Sequence, residues 1–135
     1  MQSPQEWRYD GATSKGPRFQ LQRIYDDAPT DGAYRVLVDR LWARGVTKEA
    51  AALDEWAKEV APSTELRRWY GHDVERFEEF ATRYLDELGE PPALAAVEHL
   101  CEVADRQQVV LLTATRDVEH SGAEVLLQHL QGQRR

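Results

Sequence analysis

Hydrophobic and polar positions alternate from Arg18 to Tyr25. Phe19, Leu21, Arg23 and Tyr25 fall on one side, and Gln20, Gln22 and Ile24 on the other. A period of two marks a strand, and this one is expected at a sheet edge. Asp26 to Gly32 is rich in Asp, Pro, Thr and Gly and reads as a turn or loop. Tyr34 to Leu41 carries the run Val36-Leu37-Val38, and Val109 to Leu112 carries a second such run that extends toward Thr115. Short continuous apolar runs suit strands covered on both faces, as in a parallel sheet. Gly45 closes the first of them.

Helical spacing fills the chain between these runs. Thr47 is placed to cap a short helix over Lys48 to Ala52, and a second short helix is expected near Leu53 to Val60. Ser63 caps a helix through Leu66, Trp69 and Tyr70, which Gly71 ends. Asp73 is the next cap, ahead of Phe77, Phe80, Ala81, Tyr84 and Leu88 at helical spacing. Gly89 and Pro91-Pro92 stop that helix, and Ala93 to Ala104 forms another. Asp117 is expected to cap a final helix through Ala123, Val125, Leu126 and Leu130. The stretch from Val38 to Val109 is long enough for a helical crossover between parallel strands. The order predicts an α/β fold: a small, largely parallel sheet with helices packed against it.

The 135 residues suit one domain. Residues 1–17 are expected to be a flexible lead-in and 18–131 the folded unit. A chain this size buries roughly two-thirds of its unfolded surface, which supports a core without disulfides or metal. No apolar run approaches the roughly 20 residues that span a bilayer, so no membrane association is expected. Cys101 is the single cysteine. It falls in a helical pattern among Glu98, Glu102 and Asp105, which favours a buried apolar role over a reactive thiol. One cysteine excludes an intrachain disulfide and fits a reducing, cytoplasmic location.

Charge narrows the function classes. The net charge of −7 is concentrated in residues 47–105, which hold fifteen acidic and six basic side chains. Such a surface repels nucleic-acid phosphates, and a nucleic-acid partner is not expected. The zinc, dinucleotide, P-loop and nucleophile-elbow spacings are absent from the sequence. No metal and no cofactor are expected. Where Cys-phosphatases and rhodaneses carry a thiol after the last strand, this chain has Thr115-Arg116.

In open α/β sheets, ligands bind beyond the carboxyl ends of the strands. The first buried run ends in Asp39-Arg40-Leu41-Trp42-Ala43-Arg44, the second in Thr113-Ala114-Thr115-Arg116-Asp117. Paired in parallel, these ends converge. Arg40, Arg44 and Arg116 suit a phosphate or carboxylate, and the start of the last helix adds free amides and His120. Trp42 is expected to wall the pocket, whereas Trp56 and Trp69 read as core or core-rim packing. Asp39 is the candidate acid or base, with a neighbouring arginine expected to lower its pKa. Lys58, Ser63, Arg67, His72, Thr115 and Asp117 form a second tier, on a helical insert folding over the strand ends. His99 and His129 sit on helical faces without a special role. The expected ligand is a small anion, phosphorylated or nucleotide-like. The rival expectation is a protein-interaction module that uses the acidic region 47–105, with the arginines as internal struts.

Several segments carry a resemblance. Tyr34-Arg35-Val36-Leu37-Val38-Asp39-Arg40-Leu41-Trp42 with Arg44-Gly45 resembles the signature of YeaO-like proteins, a bacterial and archaeal family. Trp56-Ala57-Lys58, Ala61-Pro62-Ser63, Leu66-Arg67, Trp69 and His72-Asp73 continue it in order. Leu111-Leu112, Ala114, Arg116-Asp117 and Glu119-His120 complete it, so that it spans about residues 19–130. The chain departs at Ala43, where the family often has proline, and at Ser121-Gly122, where it often has asparagine after the Glu-His pair. The resemblance implies an α/β fold and a cytoplasmic location; it implies no particular reaction.

Overall fold

A computed structural model of the protein describes residues 18–26 and 32–133. The expected lead-in over residues 1–17 lies outside the described residues, as do residues 27–31 of the first loop. Four parallel strands form one sheet: β1 (Phe19–Arg23), β2 (Tyr34–Leu37), β3 (Glu55–Trp56) and β4 (Val109–Thr113). Their order is β1-β4-β2-β3, so β1 is an edge strand, as its alternation predicts. Phe19 pairs with Val109 through to Arg23 with Thr113, and Tyr34 with Val109 through to Leu37 with Leu112. β4 is buried along its whole length. This follows from its central place, and explains why it reads as one unbroken apolar run.

The helices are α1 (Lys48–Ala51), α2 (Thr64–Tyr70), α3 (Phe77–Leu88), α4 (Ala93–Ala104) and α5 (Gly122–Gln133). Phe19, Val36, Val38, Val109 and Leu111 face the main core, which α2 to α5 complete with Leu66, Phe80, Tyr84, Leu100 and Leu126. Ile24, Leu37, Val110 and Leu112 face the other way, where Ala43, Ala51, Trp42 and Trp56 meet them. The fold is therefore α/β, with four larger helices on one face and a thin cover from residues 42–56 on the other. Among the described residues, no helix is long and apolar enough to cross a membrane.

Capping follows the sequence in three places. Thr47 accepts from the Ala50 amide at 3.0 Å, Ser63 from Leu66 at 3.1 Å, and Asp73 from Glu75 at 3.1 Å. Each satisfies an amide that the first turn leaves free. Four expectations need correction. Residues 53–60 are not a helix. The Asp54 amide donates to Arg35 O and Ala57 to Leu37 O, both at 2.8 Å, so this segment joins the sheet as β3 before a 3-10 turn over Lys58–Val60. Asp117 does not cap the last helix; it precedes a 3-10 turn over Val118–His120, and Ser121 receives the Glu124 amide at 3.2 Å instead. Cys101 is only half-buried at the core's margin. His99 is engaged, because Nε2 lies 2.9 Å from Glu55 Oε1, which also accepts from the Tyr34 hydroxyl at 2.7 Å.

The entry to α5 depends on a close approach. A Cβ at Gly122 would meet Pro62 Cγ at 2.9 Å and Phe80 at 3.5 Å. Gly122→Ala must push the Pro62 loop away, and a cost of about 1–3 kcal/mol is expected from such overpacking. Urea denaturation of the variant against the parent measures it; an unchanged midpoint would show that the contact is slack.

Candidate functional site

The β2 and β4 ends open beneath α2, and the chain leaves them on different courses. The cleft between them has a volume of about 690 Å³. Its floor is Val38, Asp39 and Ala114, with Thr115 and Arg116 beside them. Arg67, Arg68, Tyr70 and His72 line it from α2 and the turn after it, while His120, Ser121 and Gly122 line it at the entry to α5. Leu41 and Trp42 complete the wall on the β2 side.

Asp39 is built into the floor. Its Oδ1 accepts from the Thr113 hydroxyl and its Oδ2 from the Ala114 amide, both at 2.7 Å. Thr113 is fully buried and its hydroxyl accepts in turn from the Thr115 amide at 3.2 Å. The backbone oxygen of Asp39 accepts from the Trp56 indole at 2.8 Å. Contrary to expectation, the Asp39 carboxyl titrates above the usual carboxylate range. Burial raises it more than the two hydrogen bonds and the nearby Arg67 charge lower it. The arginine that acts on it is Arg67, on α2.

Arg40 turns to the wall above. Its Nε donates to Pro62 O at 3.0 Å and its Nη2 to Ala61 O at 3.1 Å, which ties the β2 end to the start of α2. Arg23 does similar work, donating from Nε to Thr115 O at 3.2 Å. Trp42 donates its indole proton to Val46 O at 2.7 Å and sits edge-on to Trp56 at 5.2 Å. His120 Nδ1 lies 2.9 Å from Asp117 Oδ2, and Phe77 packs against its ring at 5.3 Å. The Tyr70 hydroxyl donates to His120 O at 2.6 Å; burial, with Asp117 and Asp73 nearby, holds that phenol above its ordinary pKa.

Asp39, Arg40, Trp42, Arg116 and His120 thus line one cleft, joined by Arg67, His72, Thr115 and Asp117. Arg44, Lys58 and Ser63 are not among its lining residues. Arg44 follows the turn at Ala43, and its carbonyl accepts from Tyr25 at 2.9 Å. Lys58 lies over the Trp56 ring at 4.3 Å. Ser63 caps α2 and donates to Glu87 at 2.6 Å. Sequence reasoning missed Arg68, Tyr70, Leu41 and Phe80 as cleft residues. Tyr70 and Phe80 read as core, which they also are, and Arg68 beside the buried face of its helix gains a meaning only once that helix is placed over the strand ends. Among the described residues, the side chains of Arg67, Arg68 and Arg116 make no hydrogen bond or salt bridge, and no three of His, Cys, Asp and Glu group as a metal site.

Residues 18–135 match the profile of the DUF488-N3i family, described as the inactive DUF488-N3 subclade. The chain is 47% identical over 115 residues to Uncharacterized protein Rv3073c of Mycobacterium tuberculosis and to Uncharacterized protein Mb3100c of Mycobacterium bovis, covering 85% of this chain and 95% of each relative. It is 40% identical over 108 residues to Uncharacterized protein YeaO of Escherichia coli, covering 80% of this chain and 92% of that one. No solved structure matches.

Even when protonated, Asp39 keeps a hydroxyl oxygen that can accept, whereas the amide nitrogen of Asn cannot, so Asp39→Asn leaves one acceptor where two donors converge at an expected cost of about 1–3 kcal/mol in acid. The folded state holds the Asp39 proton more tightly than the unfolded chain does. The stabilisation is complete below the ordinary carboxylate pKa and is lost as pH rises through the raised one. The stability difference between the parent and Asp39→Asn should therefore shrink from acid toward neutral pH. Urea midpoints across that range test it, and a difference that widens would contradict the burial argument.

Proposed function

This chain belongs to the DUF488-N3i family, and we propose that it is a binding domain for a small anionic ligand, phosphorylated or nucleotide-like, held at the carboxyl ends of β2 and β4. The observation that carries this reading is the trio Arg67, Arg68 and Arg116, whose side chains line the cleft with no hydrogen bond or salt bridge among the described residues. With Arg40 they set four cationic groups against Asp39 and Asp117, in a protein whose net charge is −7. The excess of cations gives the cleft a net positive field, and such a field between low-dielectric walls concentrates anions. Trp42 and Leu41 offer an apolar surface for the uncharged part of such a ligand.

Binding rather than turnover agrees with the description of the subclade as inactive. It also agrees with Asp39, whose two carboxylate oxygens are both engaged in bracing the strand ends. In this reading Asp39 and Arg40 shape the cleft, Arg67, Arg68 and Arg116 hold the anion, and His120 with Asp117 lines the rim. The proposal includes a cytoplasmic location, where a lone thiol such as Cys101 persists reduced. The interaction-module reading draws support from Arg40, which is an internal strut; it leaves unexplained three cleft arginines whose side chains make no hydrogen bond or salt bridge among the described residues.

A thermal-shift titration with phosphate, sulfate and nucleotides tests the proposal. Saturation at 100 times the dissociation constant adds about 2.7 kcal/mol, or several degrees for a domain of this size. Arg116→Ala and Arg67→Ala should each weaken binding about ten-fold with the melting point little changed, because each removes a hydrogen bond to a charged group. Arg40→Ala should instead lower the melting point before any ligand is added. A flat titration with every anion would defeat the proposal and favour a protein partner for the acidic helices.

A further inference from the structure

The turn after α2 places two successive residues in the left-handed region. Gly71 has φ +52° and His72 has φ +59°. The first is the expected helix terminator: the Gly71 amide donates to Arg67 O at 3.0 Å, and glycine takes this conformation without a Cβ penalty. The second has a side chain. A left-handed residue with a Cβ is strained, although histidine tolerates this region better than most residues do.

The turn is closed by backbone groups and Asp73, not by a hydrogen bond from the imidazole. Its closure comes from the Asp73 amide, which donates to Tyr70 O at 2.9 Å, and from the Asp73 side chain, which caps the Glu75 amide. Among the described residues the His72 ring makes no hydrogen bond and no ion pair. It is exposed, its centroid is 6.1 Å from that of Tyr70, and it lines the cleft beside Arg67 and Arg68. A glycine would hold the same backbone with less strain. Strain persists at such positions where the side chain's placement is used.

We propose that His72 is a ligand-binding residue of the cleft, donating to an oxygen of the bound phosphate or carboxylate from the wall opposite the strand ends. The left-handed backbone sets the imidazole on the cleft, next to the two α2 arginines, where an extended residue at this position would follow a different course. This inference rests on the anion reading of the cleft and turns His72 from one of several secondary candidates into a contact with the anion.

His72→Gly separates the two roles, with inorganic phosphate as the probe. The variant should melt no lower than the parent, because glycine relieves the backbone, while its phosphate affinity falls about ten-fold. Gly71→Ala is the converse control. Its Cβ meets only Arg68 O at 3.6 Å, but φ is left-handed, so it should melt lower and keep its phosphate affinity. A His72→Gly protein that binds phosphate as the parent does overturns the inference alone, and one that melts several degrees lower shows the imidazole to be structural and overturns it too. A parent that shows no phosphate-dependent shift removes the anion reading itself, and this inference with it.

Discussion

The Asp39 carboxylate holds the two central strands together at the point where the sheet stops. Backbone pairing carries β2 and β4 side by side as far as the Val38 amide, which donates to Leu112 O at 3.0 Å. Beyond it, parallel strands have no further reason to stay paired, because each runs on into its own connection. The Thr113 hydroxyl and the Ala114 amide take over by donating to Asp39. A carboxylate in such a place loses hydration, which is why its pKa rises, and the two donors offset part of that loss. The cleft exists because the pairing is extended by a side chain and then released. A backbone ladder continued past Leu37 would have filled the same space with strand.

Arginines divide into two populations around that point. Arg23 and Arg40 give guanidinium donors to carbonyls that no ladder or helix satisfies: Thr115 on one side of the floor, Ala61 and Pro62 on the wall above. Buried carbonyls need donors, and a long flexible cation supplies several at once. Arg67, Arg68 and Arg116 face the same cleft, and among the described residues their side chains satisfy no carbonyl. A count of cationic residues near the strand ends cannot distinguish these groups. The distinction lies in which carbonyls the loops leave unpaired, a property of the folded backbone.

The same physics decides what was legible beforehand. β2 and β4 are covered on both faces, so their apolar runs are unbroken and announce a parallel sheet; α4 was legible to its ends because a Pro-Pro pair and a polar turn bound it. β3 was not, because two residues cannot display a period, and their assignment rests on amide bonds to Arg35 and Leu37 carbonyls. Asp117 and Ser121 both suit a cap. The 3-10 turn between them, closed by the Ser121 amide to Val118 O at 3.2 Å, hands the task to Ser121. At the cleft, residues on strand ends were readable from the general rule for α/β sheets. Those on α2 needed its placement over the floor, which aromatic packing governs.

That packing makes the cleft a fixed shape. The Tyr70 ring stacks on Phe80 at 4.2 Å between centroids, and Phe80 on Tyr84 at 5.9 Å, so α2 is registered against α3 by three rings in series. Each tyrosine then spends its hydroxyl on a loop. Tyr84 donates to Val60 O beneath Pro62, and Tyr70 donates to His120 O at the entry to α5. The wall above the strand ends is thereby joined to the segments on both sides of the cleft, with Gly122 admitting Pro62 and Phe80 at close range. A small anion gains from cations carried on a fixed backbone, since binding then has only their side chains left to order. Arg67 and Arg68 ride on a helix anchored at Arg40, Tyr70 and Ser63, and the chain between that helix and α3 is left only the short turn that holds His72.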